Sequence, residues 1–232
     1  TNCAGGFALD SDNNVNSLNS SAFAKIAGID NISPDGVLAN RRSLYGGYFN
    51  GGVGAGQSYA YVGLKYNANA GGAAGTNFKV IGNGTNSTLI MDKENKPRIL
   101  FSPEAPEILF EDYGTSELIN GEVYVPIDEV LKEALFIDEK HPLKVFIQLE
   151  GDCNGVFVTQ KSKDGFKVKE LAGGTSNTKF SWHIVANRAD DKDADGNITS
   201  EHVGLRLPYG PIAAKETQLA TKSNEKNVVA SK

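Results

Sequence analysis

The densest run of chemistry-bearing residues in this 232-residue chain is Asp191-Lys192-Asp193-Ala194-Asp195-Gly196-Asn197-Ile198-Thr199-Ser200-Glu201. Three aspartates at alternate positions, then a glycine, match the opening of a calcium loop, in which alternate carboxylates converge on one hard cation. Asn197 would add a carbonyl and Glu201 a closing carboxylate, so Asp191, Asp193, Asp195, Asn197 and Glu201 form a candidate calcium set. The closing glutamate stands eleventh in the run, however, and His202 holds the twelfth place where such loops put it. With that ligand misplaced, the same residues suit a charged hairpin turn around Asp195-Gly196 better. Asp10-Ser11-Asp12-Asn13-Asn14 is oxygen-rich but lacks the glycine, and reads as a polar loop.

Signals for covalent catalysis are weak. Neither Gly-x-Ser-x-Gly nor His-Glu-x-x-His occurs. Cys153 sits in the turn-like Gly151-Asp152-Cys153-Asn154-Gly155, and the three histidines, His141, His183 and His202, are the bases that would have to activate it. His183 lies between Trp182 and Ile184 on an apparent strand, a structural or surface position. The chain therefore reads as a non-enzyme. Cys3 and Cys153 are too few for a disulfide framework; in an exported protein they could pair, and two free thiols are the equal alternative. The glycine clusters at residues 52–56 and 82–84 lack the Gly-Lys-Ser/Thr of a phosphate loop and read as turns. Tyr45, Tyr48, Tyr59, Tyr61 and Tyr66, together with Tyr113, have the chemistry to stack on sugar rings, or to pack an interface between chains.

The elements that position these groups follow from composition and periodicity. With 23 basic and 28 acidic side chains the net charge is −5, which argues against a nucleic-acid partner. No run of about eighteen apolar residues occurs, so no membrane span is expected. The chain starts at Thr1 without a methionine, as a processed or excised piece would. Residues 1–40 are rich in Asn, Ser and Asp and read as an irregular or weakly helical segment. Twelve of the 44 residues from 41 to 84 are glycine, interleaved with aromatics. Such a texture suits short strands and tight turns, because each glycine inside a helix costs about 1 kcal/mol relative to alanine. Residues 78–81, 87–91 and 98–101 are further strands, and Pro103 and Pro106 mark an irregular connector.

Residues 113–188 carry the clearest alternation. Val123, Val125 and Ile127 share one face; Leu143, Val145, Ile147 and Leu149 share another, opposed by Lys144, Phe146, Gln148 and Glu150. Phe180, Trp182, Ile184 and Ala186 form a third, against Ser181, His183, Val185 and Asn187. Bounded by Asn120-Gly121, Asn154-Gly155 and Asp164-Gly165, this pattern predicts antiparallel hairpins. A short helix capped by Asp128 is predicted over residues 128–136. Residues 191–232 read as an acidic turn and a polar tail, extended or disordered from residue 213.

The runs Phe110-Glu111-Asp112-Tyr113-Gly114, Leu118-Ile119-Asn120-Gly121-Glu122-Val123-Tyr124-Val125, Gly151-Asp152-Cys153-Asn154-Gly155-Val156-Phe157-Val158 and Phe180-Ser181-Trp182-His183-Ile184-Val185-Ala186-Asn187-Arg188 together resemble a C-terminal β-module of bacterial, Bacteroidetes-type, secreted or surface fibre proteins. The likeness extends to phage tail-fibre and trimeric-adhesin tips, and covers roughly residues 41–190. It implies a secreted or cell-surface location, a structural role and no catalytic residues.

The combined expectation is an all-β protein: a glycine-rich interwoven β stem with connector (41–112), then a compact antiparallel β-sandwich-like head (113–190). The stem has few large aliphatic side chains, so neighbouring chains are expected to complete it as a homotrimer or filament. Its function would be self-assembly and adhesion. The alternative is a monomeric carbohydrate-binding β-module, with a surface glycan as partner and a structural calcium.

Overall fold

The computed structural model describes residues 5–7, 23–31, 42–51, 58–67 and 74–214, the first two stretches and residues 42–43 as backbone only. The protein is all-β, and no helix among the described residues is long and apolar enough to cross a membrane. Five strands, β1 (Gly5–Phe7), β2 (Phe23–Asn31), β3 (Arg42–Asn50), β4 (Tyr59–Tyr66) and β5 (Thr76–Asn83), form an antiparallel sheet in sequential order. Two of them fall within residues 1–40, where an irregular or helical segment was expected. Cross-strand pairing carries that segment along β3, a partner its local composition does not encode.

One face of this sheet buries Tyr45, Tyr48, Tyr61, Leu64 and Tyr66, with Tyr59, Phe78 and Ile81 packed against them. Strict alternation would send some of these rings to the opposite face. The phase instead slips at Gly63, whose φ of +63° would cost an L side chain roughly 1–2 kcal/mol. Tyr61 is buried, Val62 and Gly63 are exposed, and Leu64 and Tyr66 are buried again. Neighbouring strands step at the same level: Tyr45 and Tyr48 are both buried in β3, and Phe78 and Ile81 both half-buried in β5.

The chain itself closes this face. Residues 210–214 run over the tyrosines, with Ala214 buried among them. Tyr59 Oη donates to the Pro211 carbonyl at 2.7 Å, Tyr61 Oη to that of Ile212 at 2.8 Å, and Tyr66 Oη to that of Gly210 at 3.4 Å. The expectation of an interwoven stem that borrows its interior from sister chains is therefore corrected, because the aromatics are covered within one polypeptide. Of the expected polar tail from residue 213, only residues 213–214 are described, and residues 215–232 lie outside the described ones.

The strands β6 (Ser87–Met91) and β7 (Pro97–Phe101) pair only with each other. Their turn is held by Asp92, whose carboxylate accepts from the backbone N–H of Glu94 and Lys96 and from Arg98.

The remaining elements are β8 (Leu109–Glu117), β9 (Glu122–Pro126), α1 (Glu129–Ala134), β10 (Leu135–Phe136), β11 (Lys144–Leu149), β12 (Val156–Thr159), β13 (Gly165–Glu170), β14 (Lys179–Arg188), β15 (Asp191–Lys192) and β16 (Ile198–Ser200). They build a β-sandwich. In one sheet β14 pairs with β8 along one edge and with β11 and β10 along the other; the second sheet has the order β12-β13-β9. The core between them contains Leu118, Val125, Ile127, Leu135, Leu143, Phe166, Val168, Phe180, Ile184 and Ala186. The inward faces are those that period-two patterning marks, although near its end β14 buries Val185 and Asn187 as well as Ile184 and Ala186. Asp128 caps α1 as expected, accepting from the N–H of Val130 and Leu131.

Asp164-Gly165 joins the paired strands β12 and β13, as a hairpin turn should. Asn120-Gly121 is likewise a two-residue turn, closed by the antiparallel bridge between Ile119 and Glu122, although β8 and β9 beyond it enter different sheets. Asn154-Gly155 departs from expectation, leading from β11 in one sheet to β12 in the other.

Candidate functional site

The candidate calcium run forms the β15–β16 hairpin. Asp193 Oδ1 accepts from the backbone N–H of Asp195 at 3.0 Å and of Asn197 at 2.9 Å, and the Asn197 side chain donates to the same carboxylate. These bonds, led by those from Asn197, hold the Asp193 carboxyl below its ordinary value. Asp191 turns away toward Arg188, 2.9 and 3.0 Å from its two oxygens, and toward His202 Nε2 at 3.2 Å. Burial works to raise the Asp191 carboxyl, but the bonds from His202 and Arg188 outweigh it and leave it lowered. Glu201 reaches the backbone N–H of Ala74 at 3.5 Å. The side chains of Asp191, Asp193, Asn197 and Glu201 thus bond within a turn and its flanks, and no group of three or more His, Cys, Asp or Glu among the described residues is placed to hold a metal ion.

The tyrosines proposed for sugar stacking or interface packing are also placed otherwise. Tyr48 and Tyr61 are 0% exposed, Tyr45 and Tyr66 are buried, and Tyr59 is half-buried. Their ring edges meet one another: Tyr45 lies edge-on to Tyr61 at 5.2 Å, and Tyr59 edge-on to Tyr61 at 5.9 Å. Tyr45, Tyr48, Tyr61 and Tyr66 form an intramolecular core, with Tyr59 packed against it. Cys153 is half-buried in its turn; Cys3 lies outside the described residues, and so does any pairing between them. His141 Nδ1 sits 2.9 Å from Asp138 Oδ1, and the imidazole of His202 is only 2% exposed.

Two surfaces remain unusual. The first is the β6–β7 hairpin, where Leu89, Ile90, Met91, Ile99, Leu100 and Phe101 are between 45% and 68% exposed. The register pairs Leu89 with Ile99, Met91 with Pro97 and Ser87 with Phe101, so one face is almost wholly apolar. Thr88 opposite Leu100 and Ile90 opposite Arg98 make the other face amphipathic.

The second is the outer face of the β8–β14–β11 sheet. Register aligns its outward side chains in three cross-strand rows. Thr115, Ser181 and Gln148 form a hydrogen-bonding row; Tyr113, His183 and Phe146 an aromatic row; Glu111 and Lys144 stand on either side of the buried Val185 in the third. His183 is sandwiched, with its centroid 4.5 Å from Tyr113 at an interplanar angle of 18°, and 5.4 Å from Phe146 at 28°. Tyr113 Oη donates to Glu111 Oε2, and His183 Nε2 lies 3.3 Å from that oxygen. The bond to Glu111 raises the Tyr113 phenol above its ordinary value. Ser181 Oγ donates to Glu150 Oε1. The hydrogen-bonding and aromatic rows line a shallow groove of about 490 Å³.

Sequence reading had placed Phe146 and His183 on outward faces but had not brought them together, because the register joining three strands far apart in sequence is not a local property. No protein-family model matches this chain, and neither a curated protein nor a solved structure matches it. The likeness to fibre tips therefore rests on the quoted residues alone.

Proposed function

We propose that the protein is a non-catalytic structural subunit that associates with copies of itself through exposed β-structure and acts at the bacterial surface by multivalent contact. The observation that carries this reading is the β6–β7 hairpin. A two-stranded hairpin is marginal in water, and large apolar side chains on both of its faces gain by transfer out of solvent. Both of its strands are edges, which act as templates for further pairing unless they are blocked.

A receptive surface lies on the same chain. On the side of the five-stranded sheet away from the tyrosines, Leu44, Phe49, Val62 and Val80 are exposed. Hairpin and sheet face are different patches, so their contact between copies is heterologous. Such a contact closes into a ring, a homotrimer for example, or continues as a filament. Either product multiplies weak individual contacts into adhesion.

Sedimentation velocity with electron microscopy tests this reading. The intact protein is expected to sediment well above its 24.7 kDa chain mass at micromolar concentration. The double variant Leu89→Asp, Phe101→Asp is expected to return to that mass with an unchanged circular dichroism spectrum. An intact protein that sediments as a single chain throughout the micromolar range refutes self-association.

A further inference from the structure

We infer that the outer face of the β8–β14–β11 sheet is a binding site for a polyhydroxylated ligand, a glycan segment a few sugar rings long. The site uses no residue of the β6–β7 hairpin and stands whether or not the chain associates.

Sugar recognition needs apolar ring surface for the C–H faces of the ligand, and neutral or anionic hydrogen-bonding groups beside it for the hydroxyls. The sheet places these in adjacent rows. Tyr113 is 63% exposed and Phe146 57%, and they flank His183 on the two outer strands. Their outer ring faces point away from the stack and remain open to a partner. One row further along the strands, Thr115, Ser181 and Gln148 offer two hydroxyls and an amide. Glu111 and Glu150 add carboxylates, each already accepting a hydroxyl from this face and so oriented toward such donors.

The aromatic row is organised before any ligand arrives. Stacking fixes His183 between two rings, and the bond to Glu111 fixes Tyr113, so little side-chain freedom is left to lose on binding. The groove is open and shallow, a shape suited to a chain of sugar rings lying along a sheet.

Other occupants fit less well. An extended peptide adding to the β8 edge would need the Tyr113 backbone N–H, but Asp112 Oδ1 already accepts it at 2.8 Å. A phosphate-bearing polymer would meet Glu111, Glu117 and Glu150 against Lys144 and Lys179, which is not a basic face.

The full chain is titrated with cellohexaose, xylohexaose, chitohexaose and mannohexaose, following saturation-transfer NMR of the sugar protons. At least one probe is expected to saturate at or below millimolar concentration. Tyr113→Ala and Phe146→Ala, both at exposed positions, should each weaken it roughly tenfold, as truncating an aromatic anchor does. The hairpin variant Leu89→Asp, Phe101→Asp should bind a single sugar with unchanged affinity, which separates this site from self-association. Three results would overturn the proposal: no saturation by any probe, saturation undiminished in the Tyr113→Ala, Phe146→Ala double variant, or saturation by unstructured peptides and by none of the sugars. Thermal melts of each variant confirm that the fold is retained.

Discussion

Tyr61 donates its hydroxyl to the carbonyl of Ile212, 2.8 Å away in space and 151 positions along the chain. Through this bond, and its neighbours from Tyr59 and Tyr66, a short C-terminal segment closes a sheet built near the start of the described chain. The closure uses backbone carbonyls as acceptors, so the segment needs few large side chains of its own. It also turns a strip of phenols, which would otherwise face water, into a second core beside that of the sandwich.

Tyr61→Phe keeps the ring and removes the bond. The expected loss is about 1 kcal/mol of stability, the net worth of a typical buried hydrogen bond. In a chain of 232 residues that lowers the melting temperature by roughly 2–4 °C. Deleting residues 208–232 should do more, because it uncovers Tyr45, Tyr48, Tyr61 and Tyr66 together. Binding of a hydrophobic dye, with collapse of the tyrosine near-ultraviolet dichroism, is the expected readout. A truncated chain with the parent's dye response and melting temperature would show that the segment does not close the sheet.

The sandwich holds a comparably close contact between Gly114 and Trp182. A Cβ built on Gly114 would sit 2.3 Å from Trp182 Cζ2 and 2.6 Å from Cε2. The indole cannot withdraw, since it already lies edge-on to Phe166 of the opposite sheet, centroids 5.8 Å apart at 74°. Gly114→Val is therefore expected to destabilise by about 1–3 kcal/mol through overpacking, and to shift Trp182 emission to the red. Trp182→Leu in the same chain should recover part of the loss, because the two positions are in contact and their effects are not additive. Urea unfolding of the two single variants and the double variant measures that coupling.

These contacts also explain which parts of the molecule were legible in the sequence. Val123, Val125 and Ile127, and Phe180, Trp182, Ile184 and Ala186, announce their buried faces because a strand in a two-layer sandwich buries alternate residues. Asp128 announces α1 because capping is local chemistry. The tyrosine sheet was opaque for the converse reason: the phase slip at Gly63 puts Tyr61 and Leu64 on one face three residues apart, and a period-two search reads them as opposite. Residues 210–214 gave no signal, because an acceptor carbonyl belongs to every residue. The candidate site was half legible. Alternation placed Phe146 and His183 outward, whereas their stacking with Tyr113 depends on the register of β8, β14 and β11.

Glu170 gives the fold an acid limit. It is buried, and its carboxylate accepts from the backbone N–H of Asn154 at 2.9 Å and of Ser176 at 2.8 Å, tying the loop after β11 to the loop before β14. Those two bonds, the one from Asn154 first, hold its carboxyl below the ordinary glutamate value. A carboxyl lowered in the folded state binds protons more readily in the unfolded chain. Its contribution to stability is therefore complete above the unfolded value and is lost as pH falls through the folded one. Asp191, Asp193, Glu107 and Glu122 are lowered as well and decline over the same acidic range, so the intact protein should weaken progressively there. Glu170→Gln removes one titrating share while preserving shape. Its urea midpoint should lie below that of the parent at neutral pH and converge with it as the solution becomes strongly acidic. A gap between the two midpoints that stays constant from neutral to acidic pH would mean that the charge on Glu170 contributes nothing, and that its role is one of shape alone.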